Sequence, residues 1–144
     1  MDESTTKKLA DILSGITDEK EMERFMDQPK ITDFFNSPID YFRSLPSVKS
    51  MSDSEMIEAS GIEKSYYYQI MKETRKPSRD KVLRLCIGAK LSYRETERML
   101  ELCGFATLYS KNRRDIIISV ALNQHISVIE TNILLDKYEE EIIS

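Results

Sequence analysis

Apolar residues recur along this chain three and four positions apart, the spacing of helices that bury one face. Residues 5–16 place Leu9, Ile12, Leu13 and Ile16 in that register, and Gly15 marks the stop. Thr17 then caps a second helix with Asp18 and Glu19 in its first turn, a stripe of Met22, Phe25 and Met26, and Pro29 at its end. Such a stripe is expected to pack as core. A third short amphipathic segment covers residues 31–35, where Phe34 and Phe35 suit a docking contact. The run Asn36-Ser37-Pro38, a cap followed by a first-turn proline, opens a helix with Ile39, Phe42 and Leu45 on one face until Pro46 interrupts.

Residues 52–83 carry the densest local signals. Ser52 and Glu55 can close a capping box, Met56 and Ile57 face inward, and Ala59 is small enough for a close helix crossing. Gly61 permits a left-handed turn. A second short helix then runs from Glu63 to about Lys72, with Tyr67, Ile70 and Met71 inward and Lys64, Ser65, Tyr68, Gln69 and Lys72 mainly outward. A basic turn of Thr74, Arg75 and Lys76 follows, and Pro77-Ser78 opens a helix that packs through Val82, Leu83, Leu85, Cys86 and Ala89. Two short helices joined across a glycine are the sequence form of a helix-turn-helix.

The next helix pair is written twice. RDKVLRLCIGAKLSYRETERMLEL from Arg79 returns 35 residues later as RDIIISVALNQHISVIETNILLDK from Arg114. Arg79-Asp80 matches Arg114-Asp115, Leu91-Ser92 matches Ile126-Ser127, and Glu95-Thr96 matches Glu130-Thr131. Each copy reads as an apolar helix, a short turn, a serine cap with its capping-box glutamate, and a second helix. Two such pairs can stack and continue one core. Ser110 is expected to cap the second copy, with Lys111, Arg113 and Arg114 exposed near its start and Asp80 and Asp115 filling first-turn positions.

Composition narrows the class. The 144 residues are 40% hydrophobic and 32% charged, with four glycines and four prolines, a helix-leaning balance. The net charge of −4 is unevenly spread: residues 1–38 carry 5 basic and 9 acidic side chains, residues 39–90 carry 10 and 7, and residues 91–144 carry 6 and 9. The one positive section is the one that holds the two-helix motif. Cys86 and Cys103 lie in apolar surroundings and read as free core thiols; with one histidine, His125, they cannot build the usual four-ligand zinc site without carboxylates. No glycine-rich phosphate loop, HExxH, nucleophile elbow or CxxC appears, so the reading is not an enzyme, with no cofactor and no metal. No transmembrane-length apolar run or signal segment is present, giving the expectation of a cytoplasmic chain without a membrane partner.

Residues 39–94 resemble the lambda-repressor-like (Cro/C1, XRE type) helix-turn-helix family. MSDSEMIEASGI is similar to that family's second helix, KSYYYQI to its third, and TRKPSRDKVLRLC to the turn and fourth helix. The resemblance implies that the third helix enters the major groove of double-stranded DNA. Lys64, Ser65, Tyr66 and Gln69 would then contact bases, and Ser52, Tyr68, Lys72, Thr74, Arg75 and Lys76 would contact phosphates. Arg79 completes a compact cationic set. The departures are Asp53, at the place of the family's phosphate-holding glutamine, Met71 for a buried glutamate, and Glu73 for the turn glycine. A bacterial variant of the family continues with a pattern matched here by Thr96, Arg98, Leu100, Leu102, Cys103, Gly104, Phe105, Leu108, Tyr109, Arg114, Asp115 and Ile118.

The expectation is therefore an all-α protein in three parts: an acidic N-terminal helical segment over residues 1–36, a lambda-repressor-like helix-turn-helix bundle over 37–103, and a C-terminal extension over 104–144 that completes the repeated helix pair. The expected function is sequence-specific double-stranded DNA binding in transcriptional regulation, as a repressor, through a homodimer reading two half-sites. The alternative is an adaptor module that keeps the fold and turns Tyr66, Tyr68 and the basic turn toward an acidic protein partner.

Overall fold

The computed structural model describes residues 3–27 and 37–144, and all regular secondary structure among them is helical. The segment expected at residues 31–35 lies outside the described residues. The chain divides into two compact units, Met1–Asn36 and Ser37–Ser144.

The first unit holds α1 (Glu3–Leu13) and α2 (Glu19–Met26). Asp18, rather than Thr17, caps α2: its carboxylate accepts the Glu21 N–H at 2.7 Å. An ionised side chain one position nearer the helix answers the same free N–H groups and also favours the positive end of the dipole. No residue of α2 is buried: of the stripe expected to be core, Met22 and Met26 are exposed and Phe25 is half-buried.

The second unit starts with α3 (Pro38–Ser44), whose Ser37 cap accepts the Asp40 N–H and whose Ile39 and Phe42 are buried with Leu45. Pro46 ends that helix only to begin another turn, α4 (Pro46–Lys49), because proline at a first helical position gives up an N–H that needs no partner there. Then come α5 (Asp53–Ser60), α6 (Lys64–Met71) and α7 (Arg79–Gly88). α8 (Tyr93–Leu102), α9 (Arg113–Gln124) and α10 (Val128–Lys137) complete the order. α7 is the central element. It packs on α5, α8 and α10, and from Val82 to Ala89 only Arg84 is not buried. Gly88 lets α5 cross closely, since a Cβ there would lie 2.9 Å from the Ser60 backbone nitrogen and 3.0 Å from the Ala59 carbonyl carbon.

The repeat is visible in backbone detail. Lys90 and His125 both take left-handed conformations, as do Gly104 and Glu139, each pair 35 residues apart. Ser92 and Ser127 both close capping boxes, with Glu95 and Glu130. The buried Thr96 and Thr131 hydroxyls donate to the Ser92 and Ser127 carbonyls at 2.9 and 2.7 Å. α9, however, is capped by Asn112 rather than Ser110; Asn112 Oδ1 accepts the Asp115 N–H at 2.9 Å.

The repeated Arg-Asp pairs exchange partners. Arg79 donates through both terminal nitrogens to the Asp115 carboxylate, at 3.2 and 3.1 Å. Arg114 donates to both oxygens of Asp80 at 3.1 Å. Each copy's arginine thus closes on the other copy's aspartate, clasping α7 to α9. Arg114 and Asp80 also hold the last residues: Arg114 donates to the Glu141 and Ile142 carbonyls, and Asp80 accepts the Ser144 N–H. Arg84 and Lys81 both donate to the Ser144 carbonyl, and Ile143 is fully buried. Asp80 and Asp115 occupy the first-turn positions expected of them and pair across the repeat as well, whereas Arg114, expected to be exposed, is drawn into that pairing and half-buried. Cys86 is buried and Cys103 half-buried, both free. Burial raises both thiol pKa values, that of Cys103 to about 11.

Candidate nucleic-acid interface

α5 and α6 meet at Gly61, whose φ of 66° makes the left-handed turn that a side chain resists. The Ser52–Glu55 capping box fixes the start of α5: Ser52 Oγ accepts the Glu55 N–H at 3.1 Å, and the Glu55 carboxylate accepts the Ser52 N–H at 2.9 Å. Hydrogen bonds from Ser52 hold the Glu55 carboxyl below its ordinary range. Glu63 caps α6 by accepting the Ser65 N–H at 3.1 Å, and that bond lowers its carboxyl pKa in the same way.

Asp53 has a definite task. The hydroxyl of buried Tyr67 donates to Asp53 Oδ1 at 2.8 Å, tying the first residue of α5 to the middle of α6. Burial, and then that hydrogen bond, push the Tyr67 hydroxyl pKa upward. The three tyrosines separate by role. Tyr67 is core, Tyr68 is half-buried with its ring centroid 5.4 Å from that of Tyr67 in an edge-to-face arrangement, and Tyr66 is half-buried beneath two cations. The Arg75 guanidinium lies 3.9 Å from the Tyr66 ring centroid and Lys81 Nζ lies 5.6 Å from it. These distances suit cation–π attraction.

The turn after α6 is built on Gln69. Its carbonyl accepts the Thr74 N–H at 3.0 Å, the Arg75 N–H at 3.3 Å and the Thr74 hydroxyl at 3.2 Å. Its side-chain oxygen accepts Arg75 at 3.4 Å. With the Glu73 N–H on the Ile70 carbonyl, this is a Schellman close, and it puts Glu73 in the left-handed region at φ 60°. The position that the resemblance assigns to a turn glycine therefore does carry the glycine-like conformation, with a glutamate in it.

Of the expected base-contacting residues, Lys64, Ser65 and Gln69 are exposed on α6, while Tyr66 is half-buried as the platform for Arg75. Of the expected phosphate-contacting residues, Ser52, Lys72, Thr74, Arg75 and Lys76 are exposed and Tyr68 is half-buried. Arg79 does not join the cationic set. It is turned to Asp115 and to the Ala106 and Thr107 carbonyls. Two cations were missed by the sequence reading: Arg43 and Lys49 border a cleft of about 210 Å³ with Asp53, Tyr67 and Met71. Lys49 stands three residues before the Ser52 cap, a spacing that could have pointed to it.

The chain matches no family model, no characterised protein and no solved structure. Among the described residues, no cluster of three or more His, Cys, Asp or Glu side chains could hold a metal ion, and no helix is long and apolar enough to cross a membrane.

Proposed function

We propose that this chain is a lambda-repressor-like helix-turn-helix protein that binds double-stranded DNA through α6 and the turn after it, in transcriptional regulation. The observation that carries the reading is the Gln69–Arg75–Tyr66 assembly. A cation is stacked on an aromatic ring and bonded to the side chain of an exposed helical glutamine, which ties a phosphate-directed group to a base-directed one. In this reading α6 lies in the major groove. Lys64, Ser65 and Gln69 face base edges, where a glutamine amide matches the donor and acceptor pair of adenine. Tyr66 positions Arg75 and reaches the groove only by its hydroxyl. Lys72, Thr74, Arg75 and Lys76 meet the phosphates on one side, and Ser52 meets them on the other, together with Arg43 and Lys49 of the cleft that Asp53 lines. Asp53 keeps the bracing half of the family glutamine's role through Tyr67. Its charge faces the phosphates unfavourably, and the two flanking cations offset it.

The test is a selection from randomised duplex DNA with three proteins. Wild type should enrich a defined sequence. Arg75→Ala/Lys76→Ala should weaken binding to all sequences alike, whereas Gln69→Ala should change the preferred base at one position, a discrimination of about 1–3 kcal/mol. Identical effects of the two changes would refute the assignment of roles.

A further inference from the structure

The second helix pair repeats the first, yet its outward chemistry differs. Arg94 and Arg98 of α8 correspond, 35 residues on, to Ile129 and Ile133 of α10. These isoleucines lie one turn apart and are 73% and 65% exposed. On α8 the equivalent face is covered in part: Glu95 and Arg98 are half-buried, while Arg94 is exposed. α3 packs along it, with Tyr41 close enough to Glu95 and Arg98 for Glu95 to raise the Tyr41 hydroxyl pKa and Arg98 to lower it, after the larger effect of burial. The counterparts of Glu95 and Arg98 on α10 are Glu130 and Ile133, and both are exposed. The fold thus places a helix beside Arg98, whereas its counterpart Ile133 stays exposed. Ile116 and Val120 of α9, the helix packed against α10, are likewise exposed and one turn apart. Clusters of this kind on a folded surface mark contact sites, where single exposed apolar residues do not.

We propose that the α10 face centred on Ile133 is a self-association surface, occupied by α10 of a second copy of this chain packed antiparallel about a two-fold axis. Charge selects the occupant. Glu130 precedes the isoleucine pair's centre and Lys137 follows it. A two-fold between Ile133 and Leu134 sets Glu130 of each copy opposite Lys137 of the other. The capping box uses Oε1 of Glu130, leaving Oε2 for this pair. Parallel packing would set like charges together, and a partner of one charge sign would satisfy only one end. A closed two-fold interface of this type uses the same patch on both copies.

Sedimentation velocity of the full chain, over a dilution series and without DNA, tests this. Wild type should sediment as a dimer that dissociates on dilution. Ile129→Glu/Ile133→Glu should sediment as a monomer throughout while keeping the helical circular dichroism of the wild type, because both side chains project from the folded unit. Lys137→Glu should weaken the dimer several-fold, most strongly at low salt. A wild type that stays monomeric at its highest concentration, or a double isoleucine variant that dimerises like wild type, would overturn the proposal; an undiminished dimer in Lys137→Glu would overturn its antiparallel geometry. The assay contains no DNA, so its failure and a failure of DNA binding are separable.

Discussion

Gly88 and Glu73 show how much a single backbone position decides. At Gly88 the atoms facing a new Cβ belong to the backbone of α5, which cannot swing aside as a side-chain tip can. Gly88→Ala should therefore lower stability by about 1–3 kcal/mol, the range for overpacking, although alanine is the better helix former. Urea unfolding midpoints measure it; a neutral result would mean that the α5–α7 crossing yields easily. Glu73 presents the opposite case. Its left-handed backbone costs a residue with a Cβ about 1–2 kcal/mol. Glu73→Gly should recover about 1 kcal/mol after the entropy that glycine loses on folding, and should tighten DNA binding by removing an acid beside Arg75 and Lys76. A drop in the thermal midpoint would contradict that assignment.

The helices of the second unit begin and end with local devices, and these were largely legible in the chain. Ser52, Ser92 and Ser127, each with glutamate three positions on, all became capping boxes, because cap and partner lie within one turn. Legibility failed where several residues competed for one cap: Asp18 displaced Thr17 and Asn112 displaced Ser110. It failed further where partners are distant. The two Arg-Asp pairs could be read as matching positions, but not as an exchanged clasp, since their pairing depends on how α7 and α9 lie against each other. For the same reason Arg79 passed for a surface cation. The clasp has a pH signature. Burial raises the Asp80 carboxyl pKa, but the Ser144 N–H, the Arg114 charge and their hydrogen bonds outweigh it, and the net shift is downward. A carboxyl lowered in the fold stabilises it fully above its unfolded value, ordinarily 3.8, and that contribution is lost as pH falls through the lower folded value. Protection of the Ser144 amide relative to its intrinsic exchange rate should accordingly fall on acidification below that range, and Asp80→Asn should show the lower protection already at neutral pH. Equal protection in variant and wild type would remove Asp80 from this role.

Across the whole molecule, charge and fold divide the work. Among the described residues Lys64, Lys72, Arg75 and Lys76, on α6 and the turn that follows it, form no ion pair, while Arg79, Arg113 and Arg114 are paired within the fold. The cationic edge was visible in the sequence because its residues are close in the chain and their positions resemble a family's. Its details were not, because the stacking of Arg75 on Tyr66 and the approach of Arg43 and Lys49 require the turn, α3 and α4 to be in place. The central claim is that this edge contacts DNA phosphates. Fluorescence-anisotropy titration of the intact chain against duplex DNA over a range of salt concentrations tests it most directly. The three cations assigned to phosphate on the α6 side predict a log–log slope of about −3 or steeper per protomer, since each neutralised phosphate contributes about −0.9. Absence of binding at low salt, or an affinity that does not change with salt, would contradict it.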